Sequence, residues 1–344
     1  MNNRLRKKGT SSQQNITIND VADRLGVSKT TISRAISGKG RIGVETREKV
    51  LSYIEEHGYR PNLIAKSLAE SKTFNIAVAL PSDTEVHEVP FFQTCLHSIT
   101  ETVTAREYDV VLSITSGQSI AGLKRLIRNQ KVDGVILTRP LAGDTSVAYL
   151  KEAEVPFAVI GSCDDSSVVQ VDSDHASGCR EIMEHVIEGG SKKVILLAGN
   201  PDHRVNKDRY SGFLTALETA GKKVDENSIF WNLTANVRVE ECLKAVMADK
   251  PDCLVCMDDV ICLRVLSWLQ RKGYAIPNDV KVVSFHDSAA MEHHHPPVTA
   301  LHIKVRKLGE AAGTILLDML EGKDVPMRKI VGYEVCIRGS SRSH

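Results

Sequence analysis

Thr17-Ile18-Asn19-Asp20-Val21-Ala22-Asp23-Arg24-Leu25-Gly26-Val27-Ser28-Lys29-Thr30-Thr31-Ile32-Ser33-Arg34-Ala35-Ile36 reads as two short helices joined by a tight turn. Thr17 offers an oxygen to an early helical N–H and Asp20 sets a carboxylate at the positive helix end, so the first helix opens on a capping-box-like start. Val21, Ala22 and Leu25 share one face of it. Gly26 can take the left-handed conformation that stops a helix. Ser28 caps a second helix over 29–36, which turns Ile32, Ala35 and Ile36 inward. Lys29, Thr30, Thr31, Ser33 and Arg34 stay outside, all hydrogen-bonding groups of the kind that reach base edges and phosphates. That is the pattern of a reading helix in a helix-turn-helix.

The charge distribution points the same way. Residues 1–70 hold 13 Lys and Arg against 7 Asp and Glu, whereas the remainder holds 31 against 36. A basic head on an acidic body attracts a phosphate backbone and makes its affinity depend on salt. The tail over 1–15 carries Arg4, Arg6, Lys7 and Lys8 but no apolar core, so it reads as a disordered basic segment and not as a secretory signal. With no apolar run long enough to span a bilayer, no membrane association is expected and the cytoplasm, with the nucleoid, is the expected compartment. The chain has 344 residues, 42% hydrophobic and 25% charged, which suggests two or three globular domains. Eight cysteines are scattered through it. Cys253-Leu254-Val255-Cys256 has the spacing of a metal or redox pair, but it sits in an apolar run that reads as a buried strand, where residues three apart face opposite sides. Reduced core thiols are the expectation.

Beyond residue 73 the pattern becomes an alternation of short apolar strands and amphipathic helices. Strands are predicted at 74–80, 109–115, 132–138, 157–161, 168–172, 193–199, 228–231, 252–257, 280–285 and 330–337. Helices are predicted at 91–106, 120–129, 175–188, 208–220, 237–248, 260–271 and 305–320. Such alternation indicates parallel sheets covered by helices, and this many strands exceed one small sheet. Two doubly wound lobes follow, with a ligand cleft where strand carboxyl ends converge.

Together these residues resemble the lactose-repressor/galactose-repressor family of bacterial transcription regulators. The likeness runs from Thr17 through Arg34, continues in Glu45-Thr46-Arg47 and Val50-Leu51, and extends through Gly58-Tyr59-Arg60-Pro61-Asn62 and Ala65-Lys66-Ser67-Leu68-Ala69. The resemblance implies a small all-α helix-turn-helix domain followed by an α/β two-lobed, periplasmic-binding-protein-like domain with two doubly wound parallel sheets. The expected layout is a tail at 1–15, the DNA-binding domain at 16–61, a hinge helix and linker at 62–73, and an effector-binding and dimerisation domain at 74–340. Lobe 1 covers about 74–172 and 301–327, and lobe 2 about 173–300 and 328–340. The implied function is that of a homodimeric regulator, a repressor of carbohydrate-related genes, that binds a palindromic double-stranded operator and answers to a small molecule.

Carried over residue by residue, the family's major-groove contacts fall on Lys29, Thr30 and Arg34, with Thr17, Ser28, Thr31, Ser33 and Tyr59 around them. Residues 62–69 match its hinge helix, with Asn62, Ala65 and Lys66 at the DNA and Leu68 as the minor-groove wedge. Eight residues are too few for a stable isolated helix, so folding there is conditional on a partner, and an apolar wedge trades unstacking for a kink that brings more protein against DNA. In the body, Arg209 matches the effector-binding arginine and Asp259 the effector aspartate; Asp83, Phe91, Phe92, Trp231 and His286 are the further expected cleft residues. Relatives commonly have an aspartate where this chain has Gly161, an asparagine at Asp258, and Gly-Phe-Asp-Asp at Ser284-Phe285-His286-Asp287. The resemblance implies a sugar, sugar phosphate or sugar acid as effector, and no cofactor or metal. Catalysis is not expected: Asp258-Asp259 and His293-His294-His295 come with no nucleophile motif, phosphate-cradling loop or dinucleotide fingerprint. The alternative reading is a DNA-binding protein that senses another protein, which a cleft filled by its own side chains would favour.

Overall fold

A computed structural model describes residues 16–38, 40–59, 67, 70–82, 90–116, 119–141 and 143–342. The chain divides into two compact units at Lys72 and Thr73.

The first unit contains α1 (Ile18–Leu25), α2 (Lys29–Ser37) and α3 (Val44–His57). The capping box at its start is formed on both sides: Asp20 N–H donates to Thr17 Oγ1, and Thr17 N–H donates to Asp20 Oδ2 at 2.8 Å. Gly26 closes α1 in the left-handed conformation, and Ser28 Oγ accepts from Thr31 N–H at 3.1 Å to start α2. Val21, Ala22, Ile32, Ala35 and Val50 form the core between the three helices. Tyr59 joins them at 7% exposed, and burial pushes its phenol up. The ring of Tyr59, an expected DNA contact, closes the small core after α3 ends.

The second unit holds two six-stranded sheets. The first runs β11-β5-β4-β3-β1-β2 and the second β12-β10-β9-β8-β6-β7. Their members, in chain order, are β1 (Asn75–Pro81), β2 (Asp109–Thr115), β3 (Gly134–Leu137), β4 (Phe157–Ile160), β5 (Val169–Ser173), β6 (Val194–Leu197), β7 (Ile229–Phe230), β8 (Cys253–Cys256), β9 (Lys281–Ser284), β10 (Thr299–Ile303), β11 (Arg328–Val331) and β12 (Tyr333–Cys336). All pairings are parallel except that of β12 with β10. The central strands read as short unbroken apolar runs because helices cover both faces, so no face of them meets water. Cys253 and Cys256 lie buried on β8, where burial pushes the Cys253 thiol up to about 12.

The helices of this unit are α4 (Pro90–Thr104), α5 (Ala121–Arg128), α6 (Thr145–Glu152), α7 (His175–Glu188), α8 (Arg204–Thr219), α9 (Asn236–Ala248), α10 (Asp259–Lys272), α11 (Ala289–Glu292) and α12 (Val305–Leu320). α12 packs along α4 on the first sheet and α7 along α8 on the second. Among the described residues no helix is long and apolar enough to cross a membrane.

Two features depart from the expected layout. Residues 299–303, where no strand is predicted, form β10, and the last predicted strand is two strands split at Gly332. β11 pairs with β5 in the first sheet and β12 with β10 in the second. The chain thus passes between lobes at Asp174, Lys304 and Gly332, where the later crossings had been expected near 301 and 328.

Candidate functional site

Two sites take shape, one in each unit. On the first, α2 buries Ile32 and Ala35 and leaves Lys29, Thr30, Ser33 and Arg34 exposed. The separation is that of positions three and four apart on one helix, so the inward contacts fix which side chains look outward. Ser28 and Thr17 are exposed at the two helix starts, and Thr31 is half-buried with its hydroxyl 2.9 Å from that of Ser28. Asn62, Ala65, Lys66 and Leu68 lie outside the described residues.

In the second unit a cavity of about 600 Å3 opens between the two sheets. Its walls come from strand carboxyl ends: Thr138 after β3, Gly161 after β4, Asp172 within β5, Gly199 after β6, Asp258 after β8 and His286 after β9. That is the position a doubly wound sheet reserves for ligands, because adjacent connections leave to opposite faces there. The cavity is of the size of ordinary small-molecule pockets and is not filled by the protein's own side chains.

Of the expected cleft residues, Phe91, Phe92, Arg209, Asp259 and His286 line it. Arg209 is 6% exposed; Nη1 donates to the Met257 carbonyl at 2.8 Å, and Nε has no protein partner. Asp259 begins α10 and accepts from His286 Nδ1 at 3.1 Å. Burial pushes the Asp259 carboxyl up, but the His286 hydrogen bond and the charges of His286 and Arg209 outweigh it and hold the group below its usual range. Phe91 lies edge-on to His286 with ring centroids 6.1 Å apart, a contact from one lobe to the other.

Trp231 is not among the lining residues; it follows the edge strand β7, and its ring stands edge-on to Tyr210 with centroids 5.3 Å apart. Leu233 and Thr234, farther along the same loop, take the wall position. Asp83 lies outside the described residues.

Several lining residues escaped sequence reasoning: Arg139, Arg204, Arg264, Asp172 and His175. Burial pushes the Asp172 carboxyl up to about 7 against the pull of the Ser173 backbone hydrogen bond. Burial and the Arg209 charge push His175 well below its usual value, so it is neutral. Asp258 caps α10 by accepting from Ile261 N–H at 2.8 Å, and burial pushes its carboxyl up. For Arg139, Asp172, His175 and Asp258 the legible signal was only a polar residue near a strand's end, and Arg204 and Arg264, on α8 and α10, lacked even that. Arg204 also fastens the lobes: Nε donates to Ser162 Oγ at 3.2 Å, its guanidinium pairs with Asp164 and Asp208, and Ser162 itself donates to Asp208. Leu141 and His203 add a single antiparallel bridge across the same gap.

Catalytic arrangements find no geometric support in the histidine run. His293 Nδ1 lies 2.7 Å from the Ala289 carbonyl and His294 Nδ1 2.9 Å from that of Pro296, so both rings are committed to local backbone.

Comparison with known proteins agrees with this geometry. Residues 17–62 match the bacterial regulatory proteins of the lacI family, and residues 183–341 match the periplasmic binding protein-like domain. The chain is 27% identical over 339 residues to the HTH-type transcriptional repressor PurR of Haemophilus influenzae (strain PittEE), covering 95% of this chain and 99% of that one. The solved transcriptional regulator CelR–cellobiose complex is 27% identical, with a TM-score of 0.71 over 94% of this chain and 99% of its own. The lac repressor dimer bound to operator and the anti-inducer ONPF, at 22% identity, shares the fold with a TM-score of 0.79 over 96% of this chain and 100% of its own. A helix-turn-helix unit followed by a two-sheet α/β unit, matched along nearly its whole length by transcriptional regulators, makes this chain a DNA-binding member of the lactose-repressor/galactose-repressor (LacI) family.

Proposed function

We propose that this chain is a dimeric repressor of carbohydrate-related genes that binds a palindromic operator and is switched by a small sugar-like effector in the cavity of the second unit. The observation that carries the reading is the convergence of Arg209 and Asp259, from two separate helices, on one open cavity. A guanidinium fork and an ionised carboxylate suit a polyhydroxylated ligand, since each grips paired hydroxyls. The CelR relative was solved with cellobiose, which favours a carbohydrate class.

On the DNA side, Lys29, Thr30 and Arg34 read base edges from the exposed face of α2, while Thr17, Ser28, Thr31 and Ser33 position the unit on the backbone. Residues 62–73 form the hinge, with Asn62, Ala65 and Lys66 at the DNA and Leu68 as the wedge. Two chains place two such helices on successive half-sites. Self-association has an apolar edge available: β2 ends the first sheet, and its Leu112 and Ile114 are 52% and 53% exposed. Effector binding changes lobe closure through the Arg204 fastening and so biases the DNA-bound state. Such coupling is worth about 1–3 kcal/mol, a 5- to 150-fold change in operator affinity.

The test is a selection of genomic fragments by the full chain, followed by gel-shift titration with and without ligand. Arg209→Ala should keep operator affinity within about twofold yet lose the ligand response. A variant that still releases or tightens on operator with the same ligand dependence would sink the assignment of the cavity.

A further inference from the structure

Where the chain enters the second unit, at Thr73, one carboxylate takes three donors. Asp133 Oδ1 accepts from Thr73 N–H at 2.7 Å and from the Thr73 hydroxyl at 2.9 Å, and Oδ2 accepts from Phe74 N–H at 2.9 Å. The Asp133 N–H donates to the Asn75 carbonyl at 2.8 Å. Asn75 Nδ2 donates to the Lys131 carbonyl at 3.1 Å, and Asp109 N–H to the Phe74 carbonyl at 2.8 Å. Asp133 directly precedes β3 and Asp109 begins β2, so residues 73–75 are tied to both neighbours of β1 in the first sheet.

The backbone here is bent against its preference. Phe74 has φ +56° and Ser71 has φ +51°, a region that bulky side chains rarely occupy. Such a conformation persists only where its surroundings over-determine it. The bonds to Asp133 do so from one side. The Phe74 ring does so from the other: it packs on the core of the unit, 5.4 Å by centroids from Tyr108, which is 6% exposed. The chain therefore has a single direction where it leaves the first sheet toward residue 72 and the DNA-binding unit.

We propose that Asp133 is a positioning residue for operator binding: its carboxylate fixes the direction in which the linker leaves the first sheet, and operator affinity depends on that direction being set before DNA arrives. A linker already directed does not lose that freedom on binding, and apparent affinity falls with the fraction of molecules that hold the competent arrangement. Asp133 acts through Thr73 and Phe74, not by touching DNA. A carboxylate suits the task because acceptor oxygens must face donors on both sides at once. A carboxamide has one such oxygen and turns its own N–H groups toward either Thr73 or Phe74, donor against donor. This inference rests on the chain binding an operator.

The experiment uses the full chain, the genomic fragment it selects, and random-sequence DNA. Asp133→Asn should weaken binding to the selected fragment about tenfold, while random DNA, held by charge, changes less than about twofold. Trypsin gives a local readout, because Lys72 precedes Thr73: release of the fragment that begins at Thr73 should be about fivefold faster in the variant. Thr73→Val, which deletes one of the three bonds, should fall between variant and parent in both assays. Thr73→Ser, which keeps the hydroxyl, should match the parent. Urea unfolding followed by Trp231 and Trp268 fluorescence checks that the second unit is folded, and where Asp133→Asn is not, Thr73→Val decides. Parental affinity for the selected fragment in the folded variants overturns the inference. So does an equal loss on selected and random DNA, or a loss in Thr73→Ser as large as in Thr73→Val. If the parent selects no fragment at all, the operator reading falls and this inference with it.

Discussion

Asp172→Asn removes a titrating group from the buried cavity wall while keeping its shape. Asp172 is 4% exposed, and burial carries its carboxyl from 3.8 up to about 7. A carboxyl whose folded value lies above its unfolded one holds its proton more tightly in the native state. The native protein therefore binds more protons than the unfolded chain between about pH 4 and 7, and its stability falls as pH rises through that window. The full displacement is a penalty of about 4 kcal/mol, complete only above pH 7. Between pH 5 and 7 the change is roughly 2 kcal/mol. Asparagine carries none of it and can still accept the Ser173 N–H bond, which Asp172 Oδ1 takes at 2.8 Å. Urea unfolding followed by tryptophan fluorescence reads the relevant unit, since Trp231 and Trp268 both belong to it. Plotted against pH, the stability of the variant minus that of the parent should climb by roughly 2 kcal/mol from pH 5 to 7. Parallel curves, or a drift in the opposite sense, would refute the argument that burial dominates this carboxyl.

Two further outcomes follow from the helical unit. Ile32→Ala removes a side chain that is 0% exposed from a small core, and should cost about 2–5 kcal/mol; a thermal melt by circular dichroism that keeps its low-temperature transition would contradict the packing described. Arg34→Ala should weaken operator binding by about 1–3 kcal/mol while random-sequence DNA loses much less. Equal losses on both in a competition gel shift would reduce Arg34 to a phosphate contact.

Local chemistry made much of this protein legible from its residues in order. The capping box at Thr17 and Asp20, the stop at Gly26, the cap at Ser28 and the spacing of Ile32 and Ala35 each act within one or two turns, so the helix-turn-helix and its outward face could be read directly. The alternation of apolar runs and amphipathic helices likewise announced parallel sheets, because a strand covered on both faces must be apolar throughout. The motif around Arg209 and the strand-end position of Asp259 pointed to the cavity.

Other features depended on contacts between residues far apart in the chain. β10 takes its place between β9 and β12, and the predicted strand over 330–337 divides at Gly332 because its two halves pair in different sheets. The packing of Tyr59 follows from α1, α2 and α3 closing around it. The contact of the Trp231 ring with Tyr210 joins a loop to a helix twenty-one residues before it. Arg139 follows a strand of the first sheet whereas Arg204 and Arg264 lie on helices of the second, and they line one cavity only because the two lobes face each other. Side-chain pattern sets what each segment forms, since that is decided by near neighbours. The charge of the cavity is a sum over distant segments, and only the tertiary arrangement performs it.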